Sequence, residues 1–150
     1  MLTACGKSGR IVAFKLAPGD DILDGIVEVC EKYDLRNGMI IGAIGSLQNA
    51  IYKKVICIPE AKYHAGYGDD IHTDGPLELV GMSGIICHSD DGEILPHIHI
   101  TMNDGLSGHL CPGTKVAITV EGAIIETENI NMRKVMDTER NIMVFRPEQM

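Results

Sequence analysis

The sequence has few aromatic residues and little positive charge. It contains only two phenylalanines and no tryptophan, so the aromatic platforms on which unpaired bases stack are scarce. Thirteen lysines and arginines stand against 21 aspartates and glutamates, which gives a formal net charge of -8, and no basic cluster stands out. Because phosphate neutralisation supplies most non-specific DNA affinity, this balance argues against direct nucleic-acid binding by the chain alone.

Long hydrophobic runs and close cysteine pairs are also missing. No apolar run approaches a membrane span, and the first residues lack the apolar core of a signal peptide, so we expect a cytoplasmic location. Five cysteines without a Cys-x-x-Cys pair are typical of reduced thiols rather than of a disulfide framework. With 150 residues, 45% apolar content and no linker, the chain is expected to form one domain over residues 1–150.

The residue pattern predicts an α+β fold in which one N-terminal helix packs with a mostly antiparallel sheet. Helical spacing of apolar residues follows the turn at Pro18, and Asp20 and Asp21 suit the beginning of the helix. Tight turns between the later strands imply antiparallel pairing. The predicted strands are 10–16, 39–47, 50–58, 77–87, 93–102, 108–110, 115–128 and 141–147, the last one stopped by proline.

Two glycines, Gly42 and Gly45, lie where the second predicted strand opens into a turn. They lack the third glycine of a dinucleotide fingerprint and the Gly-Lys-Ser/Thr of a nucleotide-triphosphate loop. Close packing of the backbone is therefore the role that we expect for them.

The most informative feature is a set of three histidines in one predicted hairpin. Residues two apart in a strand face the same side, so His97 and His99 project together. The turn sequence at 103–105 sends the chain back so that His109 lies opposite His99. Cross-strand neighbours are about 5 Å apart at Cβ, which lets three imidazoles converge. Three imidazoles with a fourth position open are typical of a catalytic zinc site, although a half-buried strand with a wet polar face shows the same alternation.

Three further residues are candidates near such a site. Cys111 shares the face of His109 and is a fourth ligand, a neighbour of the site or a small buried hydrophobe. Arg10 and Arg36 could clamp a substrate carboxylate only if folding or a neighbouring subunit brings them near.

The other histidines lie outside the hairpin. His88 stands beside the turn at 89–92 and is expected to be exposed. His64 and His72 lie in the turn-rich segment 63–75, which is either a mobile loop that covers the site or a surface loop with incidental histidines.

Four short motifs occur in order along the chain. They are Ala-Pro-Gly-Asp-Asp-Ile at 17–22, Gly-Ala-Ile-Gly-Ser-Leu at 42–47, Leu-Glu-Leu-Val-Gly-Met-Ser-Gly at 77–84, and His-Ile-His at 97–99 with Gly-His-Leu at 108–110. Together they resemble the PPC domain, a plant and prokaryote family often labelled DNA-binding. The resemblance covers nearly the whole chain and implies a homotrimer with a mixed sheet and a metal site at the three histidines. The basic AT-hook segment through which plant members contact DNA does not occur in this sequence.

The hairpin is also similar to the metal-binding segment of acetolactate decarboxylase, a zinc enzyme of related fold. This resemblance implies that His97, His99 and His109 hold Zn²⁺, and imidazole also accepts Fe, Ni or Mn. A small keto or hydroxy acid would chelate the open positions, with the metal as Lewis acid. Glu78, which belongs to the third motif, is then a catalytic candidate as proton donor or a partner behind the ligands; otherwise it is a solvated strand carboxylate.

Two hypotheses about function follow from these observations. The first is a homotrimeric metal-binding protein, with lyase or hydrolase activity on a small keto or hydroxy acid. The second is a non-catalytic module for DNA-associated regulation or protein assembly, in which the metal is structural or incidental. Charge and the histidine set favour the first, and the label of the family favours the second.

Overall fold

The computed structural model describes residues 1–139 and 142–150. In chain order the elements are β1 (Lys7–Leu16), α1 (Ile22–Lys32), β2 (Gly38–Lys53), β3 (Val55–Cys57), β4 (Ala65–Tyr67), β5 (Ile71–His88), β6 (Ile94–Met102), β7 (Ser107–Leu110), β8 (Val116–Glu128), β9 (Ile130–Asp137) and β10 (Ile142–Gln149). A short 3-10 turn, Asn103–Gly105, joins β6 to β7. No helix of the described residues has the length and apolar character needed to cross a membrane.

Eight of the strands form one mixed sheet. Their order is β1-β8-β2-β7-β6-β5-β9-β10, and β2 also pairs with β5. The strands β2, β7, β6 and β5 therefore close on themselves, while β3 and β4 form a separate hairpin. The pairing of β5 with β9 is parallel and the other pairings within the sheet are antiparallel. The predicted mostly antiparallel, mixed sheet with one helix is thus confirmed.

The helix begins where the sequence predicts. The Asp21 carboxylate accepts hydrogen bonds from the backbone N–H groups of Leu23 and Asp24, which satisfies two donors that a helix N-terminus leaves free. Ile22 and Ile26 face inward and are fully buried. Aspartate as N-cap and apolar residues one turn apart therefore account for the position and orientation of α1.

The hydrophobic core joins α1 to one face of β6. Ile26 of the helix belongs to the same buried cluster as Ile98 and Ile100 of the strand. Because side chains alternate along a strand, the residues that alternate with them, His97 and His99, lie on the opposite, outer face. The core thus fixes which face of β6 presents histidine.

The turn that was predicted after Gly45 does not form. The strand β2 continues through it to Lys53, with shifts of register beside Gly42 and Gly45. Such bulges bend a strand without ending it. A Cβ at Gly45 would lie 2.1 Å from the Thr119 carbonyl oxygen, which confirms the predicted close packing there. Nothing lies within 4 Å of a Cβ built at Gly42, so the packing role was wrong for that residue.

The chain after β8 differs from the prediction as well. β9 has no counterpart among the predicted strands, and β10 does not stop at proline, because Pro147 lies within it and pairs with Met132. A proline is tolerated there because β10 is an edge strand of the sheet. The predicted beginning of this strand at residue 141 lies outside the described residues.

Candidate metal centre

The three histidines meet on the outer face of the sheet. His97 and His99 project from β6, and His109 of β7 is the direct partner of His99. In the connecting turn, Asp104 and Gly105 adopt positive φ angles of 61° and 72°, a conformation that glycine, aspartate and asparagine accept most readily. The predicted register of the hairpin is therefore confirmed, and turn chemistry explains it.

The imidazole nitrogens are close enough to share one ion. The ligand atoms of the three histidines lie within 4.8 Å of one another, and the Nε2 atoms of His97 and His99 are 3.3 Å apart. Two nitrogens bound tetrahedrally to zinc, each at about 2.05 Å, stand roughly 3.3 Å apart. The pair on β6 therefore already has the separation that zinc requires.

Burial favours the neutral, metal-binding form of two of these rings. Desolvation, followed by the nearby His97 and His99, lowers the pKa of His109 to about 4. Desolvation also lowers the pKa of His97, with Lys134 as the next cause. Within the described chain the Nδ1 atom of His109 is buried and has no hydrogen-bond partner. Neutral imidazoles and an unsatisfied buried nitrogen both fit a site that takes a metal ion.

These pKa values predict that the metal-free protein becomes less stable as the pH falls from about 6.5 towards 4. His109 has a pKa of about 4 when folded, against an ordinary value of 6.5, so between these values the unfolded chain binds a proton that the folded chain does not. The contribution of His109 to the free energy of unfolding is therefore fully present above about pH 6.5 and declines as the pH falls below it. Urea unfolding across this range should show a smaller decline in His109→Gln, because glutamine does not titrate. Equal declines in both proteins would contradict the assignment.

Two residues beside the centre were not predicted from the sequence. Tyr67 of the β3–β4 hairpin places its ring 5.1 Å from that of His109, measured between centroids. Lys134 of β9 lines a cavity of about 390 Å³ together with Tyr67, His97 and His109. The segment 63–75 around Tyr67 was predicted as either a mobile loop that covers the site or a surface loop, and the structure shows strand β4 and the beginning of β5 there. Nothing in the sequence distinguishes Lys134 from the other lysines.

The structure does not bring Glu78 or Cys111 into the cluster. Glu78 is exposed, and its backbone N–H donates to the side chain of Asn103 at the far end of β6. It lies five positions along β5 from Ser83, the partner of His99, or roughly 16 Å at strand spacing. A catalytic role for Glu78 stays a prediction. Cys111 is buried, its thiol faces the His109 carbonyl oxygen at 3.7 Å, and burial raises its pKa, so it matches the small buried hydrophobe among the three predicted roles.

Neither candidate arginine reaches the histidines within one chain. Arg10 forms a bidentate ion pair with Glu126, with both N···O distances at 2.7 Å. Arg36 binds Asp34 and the Gly92 carbonyl oxygen. Both guanidinium groups thus have partners elsewhere. Among the described residues, the cations beside the centre are Lys134 and Lys53, which is the cross-strand neighbour of His109 and pairs with Asp70.

The remaining histidines also lie elsewhere. His88 was predicted to be exposed, but it is half-buried and its ring nitrogens contact the Ser89 carbonyl and the Asn131 side chain. The partner strand β9, absent from the prediction, covers it. His64 contacts the Pro59 carbonyl at the surface, and His72 is an exposed residue of β5.

Comparison with known proteins identifies relatives over most of the chain. The family model of the Plants and Prokaryotes Conserved (PCC) domain matches residues 3–128. A crystal structure described as a metal-containing protein from Archaeoglobus fulgidus has 21% identity and a TM-score of 0.82, over 97% of this chain and 99% of that one. A plant- and prokaryote-conserved (PPC) protein from Pyrococcus horikoshii has 21% identity and a TM-score of 0.81 over all of both chains. At these identities the likeness shows a shared fold.

Curated relatives are much longer than this chain. Bifunctional protein GlmU from Synechococcus sp. strain JA-3-3Ab is 27% identical over 116 residues, which are 75% of this chain and 16% of that protein. The chain therefore spans less than a fifth of that relative.

Proposed function

Because the chain belongs to the Plants and Prokaryotes Conserved (PCC) domain family, whose model matches residues 3–128, we propose that it is a homotrimeric metal-binding protein. Each chain holds one ion at His97, His99 and His109. The observation that carries this proposal is the convergence of three imidazole ligand atoms within 4.8 Å. The description of the Archaeoglobus fulgidus structure as metal-containing supports it.

Zinc is the ion that the ligand set favours. Three imidazoles with an open position are typical of catalytic zinc, and iron, nickel or manganese are alternatives because imidazole accepts them too. A bound zinc-type ion supplies Lewis acidity and lowers the pKa of water. The proposed activity is that of a lyase or hydrolase acting on a small keto or hydroxy acid. His97 and His109 line a cavity of about 390 Å³, a volume within the range of small-molecule pockets, and this supports a small ligand.

Exposed apolar side chains on the outer face support assembly of several copies. Ile41, Ile44 and Val80 are 60%, 62% and 56% exposed, and all three line a shallow cavity of about 450 Å³ that also includes His99. Grouped large aliphatic residues on a surface indicate an interaction site. Copies that pack through this face would meet beside His99 of the metal centre.

One sample tests both parts of this proposal. Purified protein supplied with zinc and then desalted should contain about one zinc ion per chain by elemental analysis. Sedimentation equilibrium of the same sample should give three times the 16.3 kDa mass of one chain. Folded protein that takes up no zinc would refute the metal site, and a monomer at micromolar concentration would refute the trimer.

The alternative is a module for DNA-associated regulation or assembly. A similar structure from Bacteroides thetaiotaomicron, with 17% identity and a TM-score of 0.73 over 93% of this chain and 96% of that one, is described as a candidate DNA-binding protein. The net charge of -8 argues against direct DNA contact by this chain, because binding to phosphates depends on positive charge. The metal-binding proposal therefore has the stronger physical support.

A further inference from the structure

Two adjoining cavities differ in chemistry. The first, of about 390 Å³, is lined by His97, His109 and Lys134 and, on its other sides, by Tyr67 and the segment 142–145. The second, of about 510 Å³, is mostly apolar and is lined by Val55, Ala61, Lys62, Tyr63, Ala65, Gly66, Tyr67, Glu139 and Ile142. Because Tyr67 and Ile142 line both cavities, a ligand could extend from one into the other.

The first cavity is suited to a small anion. Its lining among the described residues contains the Lys134 ammonium and no aspartate or glutamate. Lys53, Lys62 and Lys115 pair with carboxylates, whereas no ion pair of the described residues includes Lys134. A metal ion on the histidines would make this cavity more positive still, in a protein whose net charge is -8. A half-buried ammonium that no carboxylate of the described residues neutralises, beside a metal site, attracts a carboxylate.

We infer that this site binds a carboxylate with an extended apolar tail, its head group between the histidine centre and Lys134 and its tail past Tyr67 in the apolar cavity. This inference rests on the proposed metal function and specifies the substrate class for it. Tyr67 is the dividing residue because its ring contacts His109 on one side and lines the apolar cavity on the other. The tail covers the exposed side chains Val55 and Tyr63, which otherwise lie in water.

The test compares two probes that share a head group. Pyruvate and 2-oxooctanoate are both 2-oxo acids, and they differ by five methylenes. The cobalt-loaded protein reports their binding through the visible absorption of the ion, and calorimetry measures the same affinities in the metal-free protein. Each fully buried methylene contributes about fourfold in affinity. We therefore expect 2-oxooctanoate to bind at least about tenfold more tightly than pyruvate, even if the open cavity buries only part of the tail.

Two variants separate the head site from the tail site. Lys134→Met removes the ammonium but keeps much of the aliphatic part of the side chain. It should weaken the binding of both probes by a similar factor of about ten or more. Val55→Asn changes an exposed residue of the apolar cavity, so it should reduce the preference for the longer probe by at least about threefold while pyruvate binding stays the same. Lys54→Met is the matched control, because Lys54 is exposed and lines neither cavity.

The outcomes distinguish this inference from the proposed function. Equal affinity for the two probes would overturn the tail site and would fit a groove that a second copy of the chain covers. Unchanged binding in Lys134→Met would overturn the head site. If the chain takes up cobalt but the two probes bind equally, or Lys134→Met binds them as the parent does, the metal site stands and the inference is wrong. If it takes up no cobalt, the proposed function fails, and calorimetry of the metal-free protein with 2-oxooctanoate and Lys134→Met still decides whether the two cavities bind an amphiphilic carboxylate.

Discussion

Replacing His97 and His99 together with alanine is expected to remove the metal from the protein. The two residues supply the nitrogens that are 3.3 Å apart, and without them His109 is the last imidazole of the cluster. Loss of a residue that merely supports a ligand costs about 10- to 100-fold in metal affinity, so the loss of one ligand, as in His99→Ala, should cost more than about 100-fold. The double variant should retain less than roughly one tenth of an ion per chain after desalting.

This loss should leave the fold intact. Both imidazoles point away from the core, and the backbone of β6 pairs with β5 and β7 independently of its side chains. Their removal therefore opens no internal cavity. His72→Ala serves as the control, since His72 is an exposed histidine of β5 outside the cluster, and it should keep the full metal content. Full metal content in the double variant, with unchanged circular dichroism, would disprove the site.

The hairpin could be predicted because its determinants are local. A period of two places His97 and His99 on one face, and the turn at 103–105 sets the register, so the pairing of His99 with His109 follows from a short stretch of sequence. The surroundings depend on distant segments. β9, which carries Lys134, follows β8 after Asn129, which interrupts the strand with a positive φ of 63°. Asparagine accepts this conformation, but one asparagine between apolar runs is a weak turn signal.

The interior of the sheet was predicted less well than its strands. The sequence indicates β2 as two strands because glycine usually punctuates a strand, whereas the structure accommodates Gly45 in a bulged strand packed against Thr119. His88 became half-buried for a similar reason, since its contact with Asn131 of β9 depends on a strand that pairs at long range. Long-range pairing decides burial, and single-sequence patterns carry little information about it.

Replacing Ile98 with alanine is expected to destabilise the protein by about 2–5 kcal/mol, because it opens a cavity in the core directly behind the metal ligands. Ile98 is 1% exposed and lies between His97 and His99 on the opposite face of β6. This loss is a large fraction of the roughly 5–15 kcal/mol that separates folded from unfolded domains. Urea unfolding of the metal-free variant and parent, at a pH above 7, measures it. A loss well below about 1 kcal/mol would contradict the packing described for β6.

Metal should restore part of the stability that Ile98→Ala loses. An ion at 100 times its dissociation constant stabilises the folded state by about 2.7 kcal/mol. Leu35→Ala is the matched comparison, because Leu35 is equally buried but belongs to the segment after α1 rather than to β6. Since β6 is held by hydrogen bonds on both sides, we expect zinc to stabilise the two variants by similar amounts, which would mean that the backbone register positions the ligands. If zinc stabilises Leu35→Ala but not Ile98→Ala, the packing of the core behind β6 positions the histidines instead.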